Sequence, residues 1–232
     1  MSPMRRIGLT GGIASGKSTV AHLLADQYGI TVLDADRFAR DALAPSSSAT
    51  RAVIGRYGPS VIAQGPGPGP KTAEPRLDRA ALGRIVFADP QERRWLEALV
   101  HPLVRERFAN ALAELALVPV VVLMIPLLFE AGLEGLCSEI WVVDCGSEEE
   151  QIHRLMARDQ LGEEEARARL KAQWPMDVKR ARADVILFNS GTRSALAHQV
   201  RDALAKQPGP LLSAAAAPPA SAPDAPGGLP AA

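Results

Sequence analysis

The chain has 232 residues, enough for one large α/β domain with inserted segments and a sizeable core. Lysine plus arginine and aspartate plus glutamate balance at 26 each, so no excess charge indicates binding to nucleic acid or a membrane surface. The two cysteines and four histidines form no metal-ligand pattern, and neither a signal peptide nor an apolar run of ~20 residues occurs, which predicts a cytoplasmic protein without an obligate protein partner.

The first predicted strand, Ile7–Thr10, leads into a glycine-rich segment that fits G-x-x-x-x-G-K-[ST]. Apolar residues with helical spacing follow it, and this strand–loop–helix order predicts a phosphate-binding loop rather than an ordinary glycine-rich turn. Backbone N–H groups converge on such a loop, and its glycines let a polyphosphate approach. We expect Lys17 to reach the β- and γ-phosphates and Ser18 to bind Mg²⁺. The predicted nucleotide-binding residues are Gly12, Ile13, Ala14, Ser15, Gly16, Lys17, Ser18 and Thr19.

The second predicted strand, Ile30–Leu33, ends in two carboxylates, Asp34 and Asp36. Residues two apart in an extended chain lie on the same side, so both are expected near the phosphate loop. One would hold Mg²⁺ through water, while the other would accept a proton from a substrate hydroxyl. The spacing does not say which acid has which role, and a helix N-cap is the alternative interpretation.

The long stretch before the third strand predicts a helical subdomain. Helices are expected over Ala80–Phe87 and Glu92–Leu117, with Asp89-Pro90 as a helix start. A run of alternating glycine and proline at residues 65–70 predicts a loop. Plausible core positions of the subdomain are Trp95, Leu99, Leu103 and Phe108.

Three more continuous apolar runs complete an α/β fold with a five-stranded parallel sheet: Val120–Ile125, Ile140–Asp144 and Val185–Phe188. A ligand crevice is expected along the carboxyl ends of the strands. Between the last two strands, a capping box at residues 147–150 opens a charged helical region, whose cations between residues 154 and 182 are expected to repel one another. From about residue 207 the Ala/Pro/Gly composition predicts a disordered tail.

Several of these stretches together resemble the dephospho-CoA kinase family. The resemblance covers about residues 4–204 in collinear order. Its motifs are Leu9–Thr19, Asp34-Ala35-Asp36, Phe87-Ala88-Asp89-Pro90, Val100-His101-Pro102-Leu103, Pro126–Glu130, Val142-Val143-Asp144, and Arg158-Asp159 with Ala172-Gln173.

The resemblance implies ATP-dependent phosphorylation of the ribose 3′-hydroxyl of dephospho-CoA, the final step of coenzyme A biosynthesis. ATP with Mg²⁺ would be the phosphoryl donor. It also implies a P-loop three-layer fold whose core comprises residues 1–34, 118–146 and 183–206. A CoA-accepting helical insertion would span about 35–117, a lid about 147–182, and the tail 207–232.

The resemblance also assigns roles to single residues. It makes Asp36 the base and Arg158 the lid cation that stabilises the transferring phosphoryl group. Other substrate-binding residues would be Asp34, His101, Pro102, Leu127 and Glu130, although residues 126–130 also fit a strand-to-helix turn with a solvated acid. The family's adenine-holding loop matches Asn189, Ser190 and Gly191, and Phe188 stands where the family usually has aspartate.

Three other functions are compatible with a phosphate-binding loop. Another P-loop small-molecule or nucleoside monophosphate kinase shares the loop and the lid, and is the main alternative. A signalling GTPase needs an Asn-Lys-x-Asp guanine reader, which the sequence lacks. A non-catalytic nucleotide sensor would be expected to lose Asp36 or Arg158, and both are present.

Overall fold

A computed structural model describes the chain over residues 4–63 and 75–206. The predicted glycine–proline loop at 65–70 and the predicted tail from 207 lie outside these described residues. Within the described ranges, no helix combines the length and apolarity that a membrane crossing needs.

Five strands form the sheet: β1 (Arg5–Gly11), β2 (Thr31–Asp34), β3 (Val120–Met124), β4 (Glu139–Asp144) and β5 (Val185–Phe188). Their order along the sheet is β2-β3-β1-β4-β5, and every neighbouring pair is parallel. The predicted α/β fold is confirmed, and all five strands lie where the apolar runs predict them. Because parallel strands are covered on both faces, their sequences are continuous apolar runs.

The described residues also form nine α-helices and two short 3₁₀ helices. Short 3₁₀ turns occur at Gly58–Val61 and Glu134–Leu136. The α-helices are α1 (Lys17–Tyr28), α2 (Ala35–Ala42), α3 (Ser48–Tyr57), α4 (Arg79–Ala88), α5 (Pro90–Glu114), α6 (Glu148–Asp159), α7 (Glu163–Lys171), α8 (Met176–Ala181) and α9 (Arg193–Ala205).

The chain divides into two compact units, and the boundaries between them lie after residues 34 and 114. The first contains the sheet with α1 and α6–α9, and the second contains α2–α5. The core of the first unit consists of strand side chains covered by α1 and α9. Each such buried Val, Leu or Ile contributes about 1.5–3 kcal/mol relative to exposure. Fully buried members are Ile7, Leu9, Val20, Leu24, Val122, Trp141, Val143, Leu196 and Val200.

The second unit has its own smaller core around α5, against which α2 and α4 pack. Phe108 is fully buried and meets Phe38 edge-on, with ring centroids 4.9 Å apart. The predicted start of α5 is confirmed, because the Asp89 carboxylate accepts a hydrogen bond from the Gln91 N–H at 2.7 Å. The helix ends at Glu114, before the predicted Leu117, which is 86% exposed in the turn that precedes β3.

Candidate active site

The glycine-rich segment links the end of β1 to the start of α1. Helix α1 begins at Lys17, and the residue before it, Gly16, has a φ of 98°. Ala14 also has a positive φ, of 57°. Because the first turn of a helix leaves N–H groups without acceptors in the helix, α1 presents these donors at the loop. Ser18 and Thr19 lie in this first turn, and Ser18 is exposed. The segment therefore has the backbone geometry of an anion site.

Lys17 lies over the loop that precedes it. Its ammonium donates to the carbonyl oxygens of Gly12, at 2.8 Å, and Gly11, at 3.2 Å. These contacts hold a positive charge at the loop, next to the donors of the α1 N-terminus. An anionic ligand is favoured there by both the charge and the helix dipole.

Two glycines of the loop are required by close approach of side chains from other elements. A Cβ atom on Gly16 would lie 2.0 Å from Asn189 Nδ2, and Gly16 already has a left-handed conformation. A Cβ atom on Gly12 would lie 2.1 Å from Gln151 Nε2. The glycines thus leave the space that these two amide side chains occupy.

Asn189 follows β5 and contacts the loop directly. Its side-chain amide donates to the Ser15 carbonyl at 2.9 Å, and its backbone carbonyl accepts from the Arg154 guanidinium at 2.9 Å. Ser190 and Gly191, which complete the predicted adenine loop, are exposed. The structure therefore brings this segment to the phosphate loop, while its role towards adenine stays a prediction.

The peptide groups of Ile13 are held by two glutamines that the sequence analysis assigned no role. Gln151 in α6 donates to the Ile13 carbonyl at 2.9 Å. Gln173, two residues after α7, accepts from the Ile13 N–H at 2.9 Å. The partners are 138 and 160 residues apart, so only the fold reveals the contact.

Glu130 lies in the turn after β3 and is buried rather than solvated. Its Oε1 is 2.7 Å from Lys179 Nζ, and both side chains have 0% exposure. The same oxygen accepts from the Trp174 N–H at 3.0 Å. Burial lowers the pKa of Lys179, although the carboxylate opposes that shift. In this arrangement Glu130 is a structural ion-pair partner, and Leu127 of the same turn is half-buried.

The predicted mutual repulsion of the lid cations is wrong. Acidic residues neutralise them, and several pairs have the i,i+4 spacing of a helix surface. Arg158 is paired with the adjacent Asp159 at 2.7 Å, which raises the arginine's pKa and lowers that of the aspartate. Ion pairs involve Arg154, Arg158, Arg167, Arg169, Lys179, Arg180 and Arg182.

The two predicted acids lie at the end of β2 and in the next helix. Asp34 is the last residue of β2, at the carboxyl edge of the sheet, and Asp36 lies in the first turn of α2. Both side chains are half-buried. The chain passes from the first unit to the second between them, and their chemical roles stay predictions.

His101 and Pro102 both lie within α5 of the second unit. His101 is half-buried, and burial together with Arg105 lowers its pKa, which favours the neutral imidazole at pH 7. Pro102 is exposed. Neither observation tests the predicted contact with an acceptor substrate.

Among residues 4–63 and 75–206, no group of three His, Cys, Asp or Glu side chains could hold a metal. The Ser18 hydroxyl at the start of α1 is exposed, and its role towards Mg²⁺ stays a prediction.

A parallel sheet with this glycine-rich loop between β1 and α1 defines a P-loop nucleotide-binding protein. A family model described as dephospho-CoA kinase matches residues 5–194. The chain therefore belongs to the dephospho-CoA kinase family.

Individual relatives and solved structures are similar to the chain over most of its length. A dephospho-CoA kinase from Synechococcus sp. (strain CC9605) is 58% identical over 204 residues, which cover 88% of this chain and 94% of the relative. A crystal structure from Thermus thermophilus matches with a TM-score of 0.72 and 40% identity, covering 88% of this chain and 98% of that one. A dephospho-CoA kinase from Campylobacter jejuni matches with a TM-score of 0.59 and 25% identity, covering 86% and 94%.

Proposed function

We propose that the protein transfers the γ-phosphoryl group of ATP to the ribose 3′-hydroxyl of dephospho-CoA, giving coenzyme A and ADP. This is the final step of coenzyme A biosynthesis. The main support is the anion-binding loop between β1 and α1 in a chain of the dephospho-CoA kinase family. We expect the enzyme to act on these small molecules in the cytoplasm, without nucleic acid, a membrane or an obligate protein partner.

The loop is proposed to hold the ATP phosphates. Backbone N–H groups of the loop after Ile13 would donate to phosphate oxygens, and Lys17 would move its charge from the loop carbonyls towards the γ-phosphoryl group. Ser18, directly, and Asp34, through water, are proposed to hold Mg²⁺. When bound, the ion would supply positive charge that offsets the negative charge of the phosphates. Once the nucleotide is bound, these groups would be in place before the transfer step, so they would stabilise the developing charge without further reorganisation.

The remaining roles concern the acceptor and the lid. Arg158 is proposed to stabilise the transferring group, and residues 189–191 to hold adenine. His101, Pro102 and Leu127 are proposed to shape the site for dephospho-CoA. The full burial of Glu130 against Lys179 favours a role for this acid through the turn that it stabilises, over direct contact with substrate.

Asp36 is proposed to accept the proton of the ribose 3′-hydroxyl. The hydroxyl oxygen then bonds to the γ-phosphorus as the bond from that phosphorus to ADP breaks. Asp36→Asn keeps the size of the side chain and should lower turnover about a thousandfold, while ATP affinity changes little. Asp34→Asn is the matched control and should restore much of its turnover at high Mg²⁺. If the two acids have exchanged roles, the Mg²⁺ dependence will move to Asp36→Asn; full activity of Asp36→Asn at ordinary Mg²⁺ refutes the assignment.

The acceptor is tested by steady-state rates with Mg²⁺-ATP and a panel of dephospho-CoA, AMP, adenosine and other nucleosides. We expect kcat/KM for dephospho-CoA to exceed that for every other acceptor by at least about a hundredfold, as expected for a site built around the whole substrate. Lys17→Ala, assayed in parallel, should lose about a hundredfold or more, which excludes a contaminating kinase. Preference for AMP or a nucleoside would instead support the alternative kinase class.

A further inference from the structure

We propose that Gln151 and Gln173 are positioning residues that fix the phosphate-binding loop through Ile13, and that they thereby tie two separate parts of the predicted lid to that loop. The inference rests on the proposed kinase function for its kinetic consequences, but not for its structural ones. Neither glutamine is required to touch a substrate.

The polarity of the two hydrogen bonds follows from chemistry. A backbone N–H can only donate and a backbone carbonyl can only accept, so the two side chains must play different parts. Gln151 uses its NH₂ group on the Ile13 carbonyl, at 2.9 Å. Gln173 uses its carbonyl oxygen on the Ile13 N–H, also at 2.9 Å. The peptide on each side of Ile13 is therefore held by a separate amide.

Each glutamine is itself held in place. Gln151 is 4% exposed, and the absence of a Cβ on Gly12 gives its amide the space it occupies. Gln173 is followed by Trp174, whose N–H donates to Glu130 at 3.0 Å and whose ring stacks on Phe129 with an interplanar angle of 5°. Buried, packed supports of this kind keep a hydrogen-bonding side chain in one rotamer.

The side chain of Ile13 packs against the same part of the chain that supplies the two hydrogen bonds. The Ile13 side chain packs against the small apolar cluster formed by Ile152 and Leu155 of α6 and Ala166 of α7. The lid segment between the two glutamines, which carries Arg158, thus begins and ends at contacts with a single loop residue.

This arrangement affects catalysis through geometry. The peptide groups after Ile13 include the donors proposed to bind phosphate, and their direction depends on the peptide planes that the glutamines hold. Removing one hydrogen bond should allow the loop to sample other conformations, with a loss of about tenfold in ATP-saturated turnover. The KM for dephospho-CoA should stay within about twofold, because Ile13 is not among the residues proposed to bind the acceptor.

The structural test uses nucleotide-free protein and the hydrogen exchange of the Ile13 amide, followed by NMR. Gln173→Met has a similar volume but no suitable acceptor, so exchange of the Ile13 N–H should become at least about tenfold faster. Gln173→Glu retains an acceptor and should keep most of the protection. Equal exchange in the wild type and in both variants overturns the proposed contact, whatever reaction the enzyme catalyses.

The kinetic test separates the two glutamines. Gln151→Met and Gln151→Glu should both lower turnover about tenfold, because neither side chain donates to the Ile13 carbonyl. Ser138→Ala removes a side-chain hydrogen bond from the Arg6 N–H, 2.7 Å long and at the other end of β1, and serves as the control. Turnover of both Gln151 variants equal to that of Ser138→Ala overturns the positioning role. A wild type inactive on dephospho-CoA would contradict the proposed function and leave the exchange result standing.

Discussion

Two ion pairs that involve cations of the predicted lid combine similar charged groups in opposite environments. Lys179, in α8, and Glu130, in the turn after β3, have 0% side-chain exposure and are 2.7 Å apart. Arg158 and Asp159, at the end of α6, are also 2.7 Å apart, but the arginine side chain is 58% exposed. Water therefore competes for the second pair and not for the first.

The difference indicates which part of the predicted lid is fixed and which part can rearrange. A buried charge cannot lose its partner without a large desolvation cost. The buried ion pair of Lys179 and Glu130 therefore holds residues 174–179 on the turn after β3. An exposed pair contributes at most about 1 kcal/mol, so Arg158 can exchange Asp159 for a phosphate at little cost. Arg158, the cation proposed for catalysis, thus belongs to the exposed pair, which can exchange partners. Lys179, the structural cation, belongs to the buried pair.

The largest expected effect comes from breaking the buried pair. Lys179→Met leaves the Glu130 carboxylate buried without its cation and should lower the free energy of unfolding by about 3–5 kcal/mol. Unfolding in urea, monitored by circular dichroism, measures this change.

The control for that variant replaces both partners. Glu130→Gln with Lys179→Met removes both charges and should recover most of the lost stability, because a neutral pair avoids the desolvation cost. Glu130 Oε2 has no hydrogen-bond partner within residues 4–63 and 75–206, so little bonding is lost with it. A double variant as unstable as Lys179→Met would show that the cost lies in packing instead of charge.

Removing the exposed cation should affect the reaction and not the fold. Arg158→Ala should lower turnover about a hundredfold, as loss of one preorganised group does, and change ATP affinity far less. The free energy of unfolding should change by less than about 1 kcal/mol. Arg167→Ala is a matched control, because Arg167 forms exposed lid pairs with Glu163 and Glu148. Equal turnover in the two variants would remove the special role of Arg158.

Glu97 sharpens the comparison as a carboxyl group that is mostly buried yet only loosely paired. Its side chain is 13% exposed, and Arg93 lies 3.7 Å away. Burial raises its pKa to about 7, against the opposing effects of Arg93 and Arg94. Between pH 4.5, the ordinary pKa of a glutamate, and pH 7, the folded state therefore binds more protons than the unfolded state. The contribution of Glu97 to the free energy of unfolding is lost as the pH rises through that range.

Glu97→Gln should remove this pH dependence. Because partial exposure of the side chain screens part of the effect, the variant should be about 1–2 kcal/mol more stable than the wild type at pH 8, and the difference at pH 5 should be about a quarter of that. Thermal unfolding at the two pH values measures the difference. A gain of the same size at both pH values would contradict a raised pKa in the folded protein.

Local sequence patterns predicted the parts of the structure that depend on local physics. Continuous apolar runs predicted all five strands, because parallel strands are buried on both faces. Ser147 caps α6 as expected, accepting from the Glu150 N–H. The i,i+4 pairs of Arg167 with Glu163 and of Arg169 with Glu165 were also readable from spacing, and weighing only the cations led to the wrong expectation of repulsion.

Contacts between distant segments were not predictable in this way. Nothing in the local sequence distinguishes Gln151 or Gln173 from surface glutamines, and their shared partner depends on how α6 and α7 return to the loop. The pairing of Glu130 with Lys179 likewise depends on tertiary structure, and a solvated acid was an equally good interpretation of the sequence. Polar residues that act inside a fold give no periodic signal of their own.

The most direct test of the proposed function is the position of the transferred phosphate. Wild-type protein is incubated with Mg²⁺, ATP labelled in the γ-phosphate and dephospho-CoA, and the product is identified by ³¹P NMR and mass spectrometry. We expect one labelled phosphomonoester on the ribose 3′-oxygen, formed together with an equal amount of ADP, and almost none with Lys17→Ala. Label found only in inorganic phosphate, or on another position of the acceptor, would contradict the proposed function.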